Sequence, residues 1–164
     1  GVDRPTEVRE MRLNTYDVDP SGHKRLIGWA TYLDQGVLPK ALRALVETRV
    51  SQINGCAFCL AMHTDEGRKA GLEQAKLDTV AAWSDDPSFT EQERAALQLA
   101  EAMTRIADGG RVTDDVWNRA AKAFDEAEMA SLVQVIAIIN AFNRINVATE
   151  RGSDFYTEYA AGQS

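Results

Sequence analysis

The chain has 164 residues, 45% of them hydrophobic and 26% charged, a balance that suits one globular domain and excludes disordered and fibrous classes. Its formal charge of −7 at pH 7 excludes nucleic acid as an expected partner, because phosphates would be repelled and no local basic cluster offsets that repulsion. The two cysteines lie three residues apart, so a permanent bridge between them would restrict almost no chain entropy, and reversible redox or metal chemistry is the better reading.

The opening GVDRPTEVRE mixes charge signs and has no apolar core, so no signal peptide is expected and the default location is the cytoplasm. Residues 1–12 read as an extension, 13–150 as the domain, and 151–164 as a frayed or arm-like tail.

Helical signals then recur along the chain. Asp19-Pro20 forms an N-cap and first-turn pair for a helix ending near Gly36. Pro39 opens a second helix, with Leu42, Leu45, Val46, Val50 and Ile53 drawing one apolar stripe, and Gly55 suits its left-handed end. A third helix starts at or beside Cys56 and runs to about Ala70, with Gly71 closing it. Leu72 to Trp83 reads as a fourth, halted by Asp85-Asp86-Pro87. Thr90 with Glu93 makes a capping box for a fifth, which Gly109-Gly110 breaks.

Thr113 caps a short helix carrying Val116, Trp117, Ala120 and Phe124, and Asp125 with Glu128 caps the last long one. That helix is apolar on nearly every side from Met129 to Val147, as expected of a bundle centre or a subunit interface. Its core stretch, Val133 to Phe142, is too short to span a bilayer and is interrupted by Gln134 and Asn140, so no membrane partner is expected. The expected fold is all-α: a single-domain bundle of six to seven helices with a long buried C-terminal helix.

The chemistry concentrates in Asn54-Gly55-Cys56-Ala57-Phe58-Cys59-Leu60-Ala61-Met62-His63. Cys56 and Cys59 fall in the first turn of a helix, where residues three apart are neighbours and come within bridging reach. The helix start carries partial positive charge and unpaired N–H groups, which stabilise a thiolate. His63 follows Cys59 by four residues, one turn on and on the same face, where it can act as base or proton relay. Two blander alternatives stand beside this one. The cysteines could be small buried hydrophobes with a satisfied core histidine. Cys56, Cys59 and His63 could also ligate zinc, but a fourth ligand is missing and His23, remote in sequence, reads as solvated. The amide-rich cluster Asn140, Asn143, Arg144 and Asn146 calls for hydrogen bonds across helices or subunits, or else lines a polar pocket.

The run Arg49-Val50-Ser51-Gln52-Ile53-Asn54-Gly55-Cys56-Ala57-Phe58-Cys59, followed by Met62-His63-Thr64, resembles the alkylhydroperoxidase D (AhpD)-like branch of the carboxymuconolactone decarboxylase family. Phe89-Thr90, Glu93 to Leu97 and Asn140 to Arg144 add to the resemblance, which covers Leu13 to Ala148. It implies an all-α homo-oligomer, a trimer or hexamer, that reduces hydroperoxides without a cofactor or metal. It assigns Cys59 as the peroxidatic thiol, Cys56 as the resolving thiol and His63 as part of the proton relay, with an external thiol reductant closing the cycle.

Two positions depart from the family pattern. The relay glutamate expected twelve residues before Cys56 is replaced by Ala44, and a residue that is sometimes His is Phe58. Glu47, one turn after Ala44, is the candidate substitute through a water; the competing reading is a solvated helix carboxylate. Two other functions compete with peroxide reduction: a non-enzymatic redox-sensing oligomeric module, and a decarboxylase-type lyase of the same superfamily.

Overall fold

Side-chain caps mark where most of the longer helices begin. In the computed structural model, which describes residues 10–162, ten α-helices and one 3-10 helix account for the regular structure, and no strand occurs among the described residues. Of the expected 1–12 extension, residues 1–9 lie outside the described residues.

A one-turn helix α1 (Thr15–Val18) begins where the Asn14 side chain accepts from the Tyr16 amide. Helix α2 (Pro20–Asp34) starts behind Asp19, whose carboxylate accepts from the Gly22 amide. Helix α3 (Lys40–Asn54) follows Pro39 and ends at Gly55, which sits at φ 69°, in the left-handed region that favours glycine. The Gly55 and Cys56 amides then donate to the Gln52 and Ser51 carbonyls at 3.3 and 3.0 Å, a Schellman closure. Helix α4 (Ala57–Lys69) begins at once, with Cys56 as its N-cap.

The segment expected as one helix over Leu72–Trp83 is instead α5 (Gln74–Thr79) running into a 3-10 turn (Val80–Asp85), with a kink at Ala82. Packing explains the break: Val80 and Trp83 leave helical register to join Leu45, Phe89 and Leu97 in a small second core. Helix α6 (Glu91–Thr104) carries the Thr90/Glu93 capping box and stops before Gly109-Gly110, leaving a one-turn α7 (Ile106–Gly109). Helices α8 (Asp114–Ala123) and α9 (Glu126–Thr149) start at the caps read from the sequence, Thr113 and Asp125 with Glu128.

Helices α3 and α9 form the centre. Leu42, Val46 and Val50 of α3 pack in one cluster with Leu132, Val135, Ile136 and Ile139 of α9, all nearly or fully buried. Each such side chain stabilises the fold by about 1.5–3 kcal/mol relative to exposure. The whole of α9, at 24 residues, is long and apolar enough by length and composition to cross a bilayer, which the shorter Val133–Phe142 run is not. Here one of its apolar faces packs into the bundle core. Gln134, which interrupts that run, accepts from Trp29 Nε1 of α2 at 3.1 Å.

The described residues after α9 form a packed helix in place of the expected frayed or arm-like tail. Ser153–Gly162 forms a tenth helix, α10, laid against α4. Tyr156 Oη donates to Asp65 Oδ2 at 2.6 Å, and its ring meets Phe58 edge-on at 6.0 Å. No apolar period long enough to announce this helix exists in the sequence. Contacts with α4 hold it.

Candidate active site

The site begins at the two-residue joint between α3 and α4. Gly55 turns the backbone, Cys56 takes an extended conformation, and α4 starts with its free amides around the two thiols. Cys56 Sγ accepts from the Cys59 amide at 3.3 Å, so a sulfur replaces the usual cap oxygen. The cysteines are joined as a disulfide, with Cα atoms 5.3 Å apart, well inside bridging range. Both are nearly buried, at 1% and 2% exposure.

His63 lies one turn beyond Cys59 and is also buried. Its Nδ1 stands 3.0 Å from Glu66 Oε2 and 3.5 Å from Glu47 Oε2. Glu47 is buried as well, so it is not a solvated helix carboxylate, and it approaches the imidazole within ion-pair range. Its other oxygen accepts from Arg43 Nε at 3.0 Å, and Arg43 reaches on to the Ala30 carbonyl. Ala44, the position of the family glutamate, is buried against α4, where a Cβ placed on Gly67 would meet its methyl at 3.6 Å. A longer side chain at 44 has little room, and the carboxylate enters from the next turn of α3.

The charges are mutually dependent. Burial works against a charged His63, but the Glu47 carboxylate and the Glu66 hydrogen bond outweigh it and raise the pKa above the usual imidazole value. Burial raises the Glu47 pKa, against the pull of His63 and Arg43. Both shifts favour the protonated forms of Glu47 and His63. Glu66, half exposed, reaches from His63 Nδ1 to the protein surface. It sits three residues after His63, a helical-neighbour spacing that the sequence offered and that went unread. Glu47, His63 and Glu66 are also the one set of grouped acidic and imidazole side chains close enough for a shared cation among the described residues, but Arg43 already occupies Glu47.

The opposite flank is built from elements distant in sequence. Asn146 of α9 points Nδ2 at Cys59 Sγ, 3.5 Å away, and its Oδ1 accepts from Tyr16 Oη at 3.3 Å. The Tyr16 ring stacks on His23 at 3.5 Å and carries the Arg151 guanidinium 3.9 Å from its centroid. His23 is therefore not the solvated side chain expected from its place near a helix start. Burial and the nearby Arg151 lower its pKa, favouring the neutral ring.

The amide cluster divides its work. Asn54 Nδ2 donates to Asn140 and Asn143 Oδ1, both at 2.9 Å, while Asn143 Nδ2 donates to Ser51 Oγ at 3.1 Å. These bonds tie the last turn of α3, and so the start of α4, to α9. Arg144 folds back onto Asn140 of its own helix. Asn146 alone of the four meets a cysteine sulfur.

The model of the carboxymuconolactone decarboxylase family matches residues 25–102. An uncharacterised protein of Bacillus subtilis strain 168, YdfG, is 36% identical over 138 residues, covering 84% of this chain and 93% of its own length. A crystal structure from Agrobacterium tumefaciens, of a protein of unknown function proposed as the antioxidant-defence protein AhpD, is 33% identical. It superposes with a TM-score of 0.83 over 87% of this chain and 97% of its own. A peroxidase-related protein from Silicibacter sp. TM1040 shares the fold at a TM-score of 0.72 and 16% identity, covering 92% of this chain and 94% of its own. An all-helical bundle is what this chain shares with these solved structures, and in this chain it presents a CxxC pair at the start of α4. The chain belongs to the carboxymuconolactone decarboxylase family, in its AhpD-like branch.

Proposed function

We propose that the protein is a thiol–disulfide oxidoreductase of the alkylhydroperoxidase type, reducing hydroperoxides with Cys59 and Cys56. The observation that carries this reading is the Cys56–Cys59 disulfide at the start of α4, the helix that one turn later carries His63 of the buried Glu47–His63 pair. A bridge that closes three residues contributes little to stability, so its value lies in being made and broken.

In the reduced protein the α4 amides and helix dipole favour the Cys59 thiolate. The thiolate attacks one oxygen of R–O–OH, the O–O bond breaks, and Cys59 becomes a sulfenic acid while the alkoxide takes a proton and leaves as ROH. His63, with Nδ1 engaged by carboxylates, supplies that proton through Nε2 and is recharged by way of Glu66. Cys56 then attacks the Cys59 sulfur, water departs, and the disulfide forms. One hydroperoxide and two thiols thus yield one alcohol, one water and one disulfide. An external thiol reductant restores the pair.

Self-association belongs to the same reading. The surface that favours it is an apolar depression between α8 and α9, lined by Trp117, Phe124, Met129 and Val133, with Trp117 44% exposed.

Steady-state consumption of an organic hydroperoxide, supplied with a dithiol reductant, tests the proposal. Turnover is expected in the parent chain and is lost in Cys59→Ser. Equal consumption by the parent and Cys59→Ser contradicts it. Oxidation of the thiols without turnover would instead fit a redox sensor, and activity that survives loss of both cysteines would fit a lyase.

A further inference from the structure

We propose that Asn146 is a hydrogen-bond donor to the Cys59 thiolate, held in that role by the Tyr16 hydroxyl. Asn146 is 2% exposed on a helix whose buried neighbours are mostly apolar, so both ends of its amide need partners inside the protein. Nδ2 faces Cys59 Sγ at 3.5 Å and Oδ1 faces Tyr16 Oη at 3.3 Å. A disulfide or thiolate sulfur has no proton to give an amide oxygen, so the N–H end of Asn146 faces Cys59 and Oδ1 is left to accept from the Tyr16 hydroxyl. Burial raises the Tyr16 pKa, so the hydroxyl keeps its proton and remains a donor. Its ring is held by the His23 stack and the Arg151 guanidinium.

Asn140 and Asn143, on the same helix, spend their amides on Asn54, Thr104 and Ser51 and give α9 its grip on α3 and α6. Asn146 contributes nothing to that grip. Its N–H points at a sulfur, which in a disulfide accepts weakly and as a thiolate accepts strongly. The contact therefore gains strength when the pair is reduced, and it favours the ionised form of Cys59. Asn146 touches the reacting atom, whereas Tyr16 acts through Asn146 and is a positioning residue.

This inference rests on Cys59 being the attacking thiol, but its test uses no hydroperoxide, so it can fail or stand independently of peroxide turnover. In a Cys56→Ser background the serine oxygen keeps the α4 cap and leaves Cys59 as a lone thiol. The rate of iodoacetamide alkylation at Cys59 is then followed against pH by mass spectrometry. The titratable and charged groups on the surrounding elements include Arg43 and Glu47 of α3, His63, Asp65 and Glu66 of α4, Tyr16, His23 and Arg151 on the opposite flank, and Tyr156 from α10.

Asn146→Ala is expected to raise the alkylation midpoint by about one pH unit, the size of shift that one lost charge-assisted hydrogen bond produces. Tyr16→Phe keeps the ring and its stacking but loses the hydroxyl, and it is expected to raise the midpoint in the same direction. An unchanged midpoint in either variant that unfolds cooperatively overturns the proposal. If Asn146→Ala fails to fold, Tyr16→Phe, which alters a half-buried side chain, carries the test alone.

Discussion

Glu47 Oε2 stands 3.5 Å from His63 Nδ1, and both side chains are buried although they come from different helices. The tight closure at Gly55 folds α4 back along α3, so a carboxylate on one helix meets an imidazole on the other. Within the pair, the Glu47 carboxylate pushes the His63 pKa up against the effect of burial.

Removing the Glu47 charge takes away the largest influence that raises the His63 pKa. Glu47→Gln is therefore expected to lower the His63 pKa, read from its imidazole ring protons by NMR titration. If His63 is the proton donor in turnover, the same variant slows hydroperoxide consumption by about 10²-fold or more. A His63 pKa unchanged in Glu47→Gln would show that the pair is electrostatically idle.

Stability should carry the same signature in pH. The folded-state pKa of His63 is raised, so its contribution is fully present below the unfolded value of about 6.5 and is lost as pH rises through the folded value. Glu47, also raised, acts in the same direction, because its buried carboxyl ionises less readily than in the unfolded chain. Tm of the parent chain relative to His63→Gln should therefore fall as pH rises above the unfolded imidazole value of about 6.5. A difference that is flat or rises over that range contradicts the assignment.

Gly55 at φ 69° is a backbone requirement: a Cβ there would find open space, so no steric contact reserves the position. Gly55→Ala is expected to cost about 1 kcal/mol or more in chemical denaturation, through left-handed strain alone. It should also loosen the α3–α4 joint and shift the reactivity of both thiols.

Helix α10 packs on the helix that carries the cysteines, through Tyr156 against Phe58 and Asp65. Cys59, at 2% exposure, can be reached only when its cover opens. Deleting residues 153–164 should speed alkylation of reduced Cys59 and lower Tm. Unaltered alkylation kinetics would place the route to the sulfur elsewhere.

Much of the fold was legible because its signals are local. Asp19, Thr90 with Glu93, Thr113 and Asp125 with Glu128 each satisfy amides within three residues of themselves, so the sequence window that codes the cap also contains its partners. Cys56, Cys59 and His63 fall within one such window too. The Leu72–Trp83 break was hidden because Val80 and Trp83 answer to Leu45 and Leu97, distant in sequence. Helix α10 was hidden because its order comes from α4.

The same limit divides the site. Glu47 was a candidate by its helix face, but its direct approach to His63 depends on how α3 and α4 pack. Tyr16, His23 and Arg151 carry no motif, and only the folded chain brings α1, α2 and the end of α9 around one sulfur.

The central claim is that Cys59 and Cys56 together transfer two electrons to a hydroperoxide. The most direct measurement is intact-mass and thiol analysis of the fully reduced chain after one equivalent of an organic hydroperoxide, with the released alcohol quantified. One disulfide formed and one alcohol released per chain is the predicted result, with sulfenic acid at Cys59 accumulating in Cys56→Ser. Two thiols still fully alkylatable under excess hydroperoxide would contradict it.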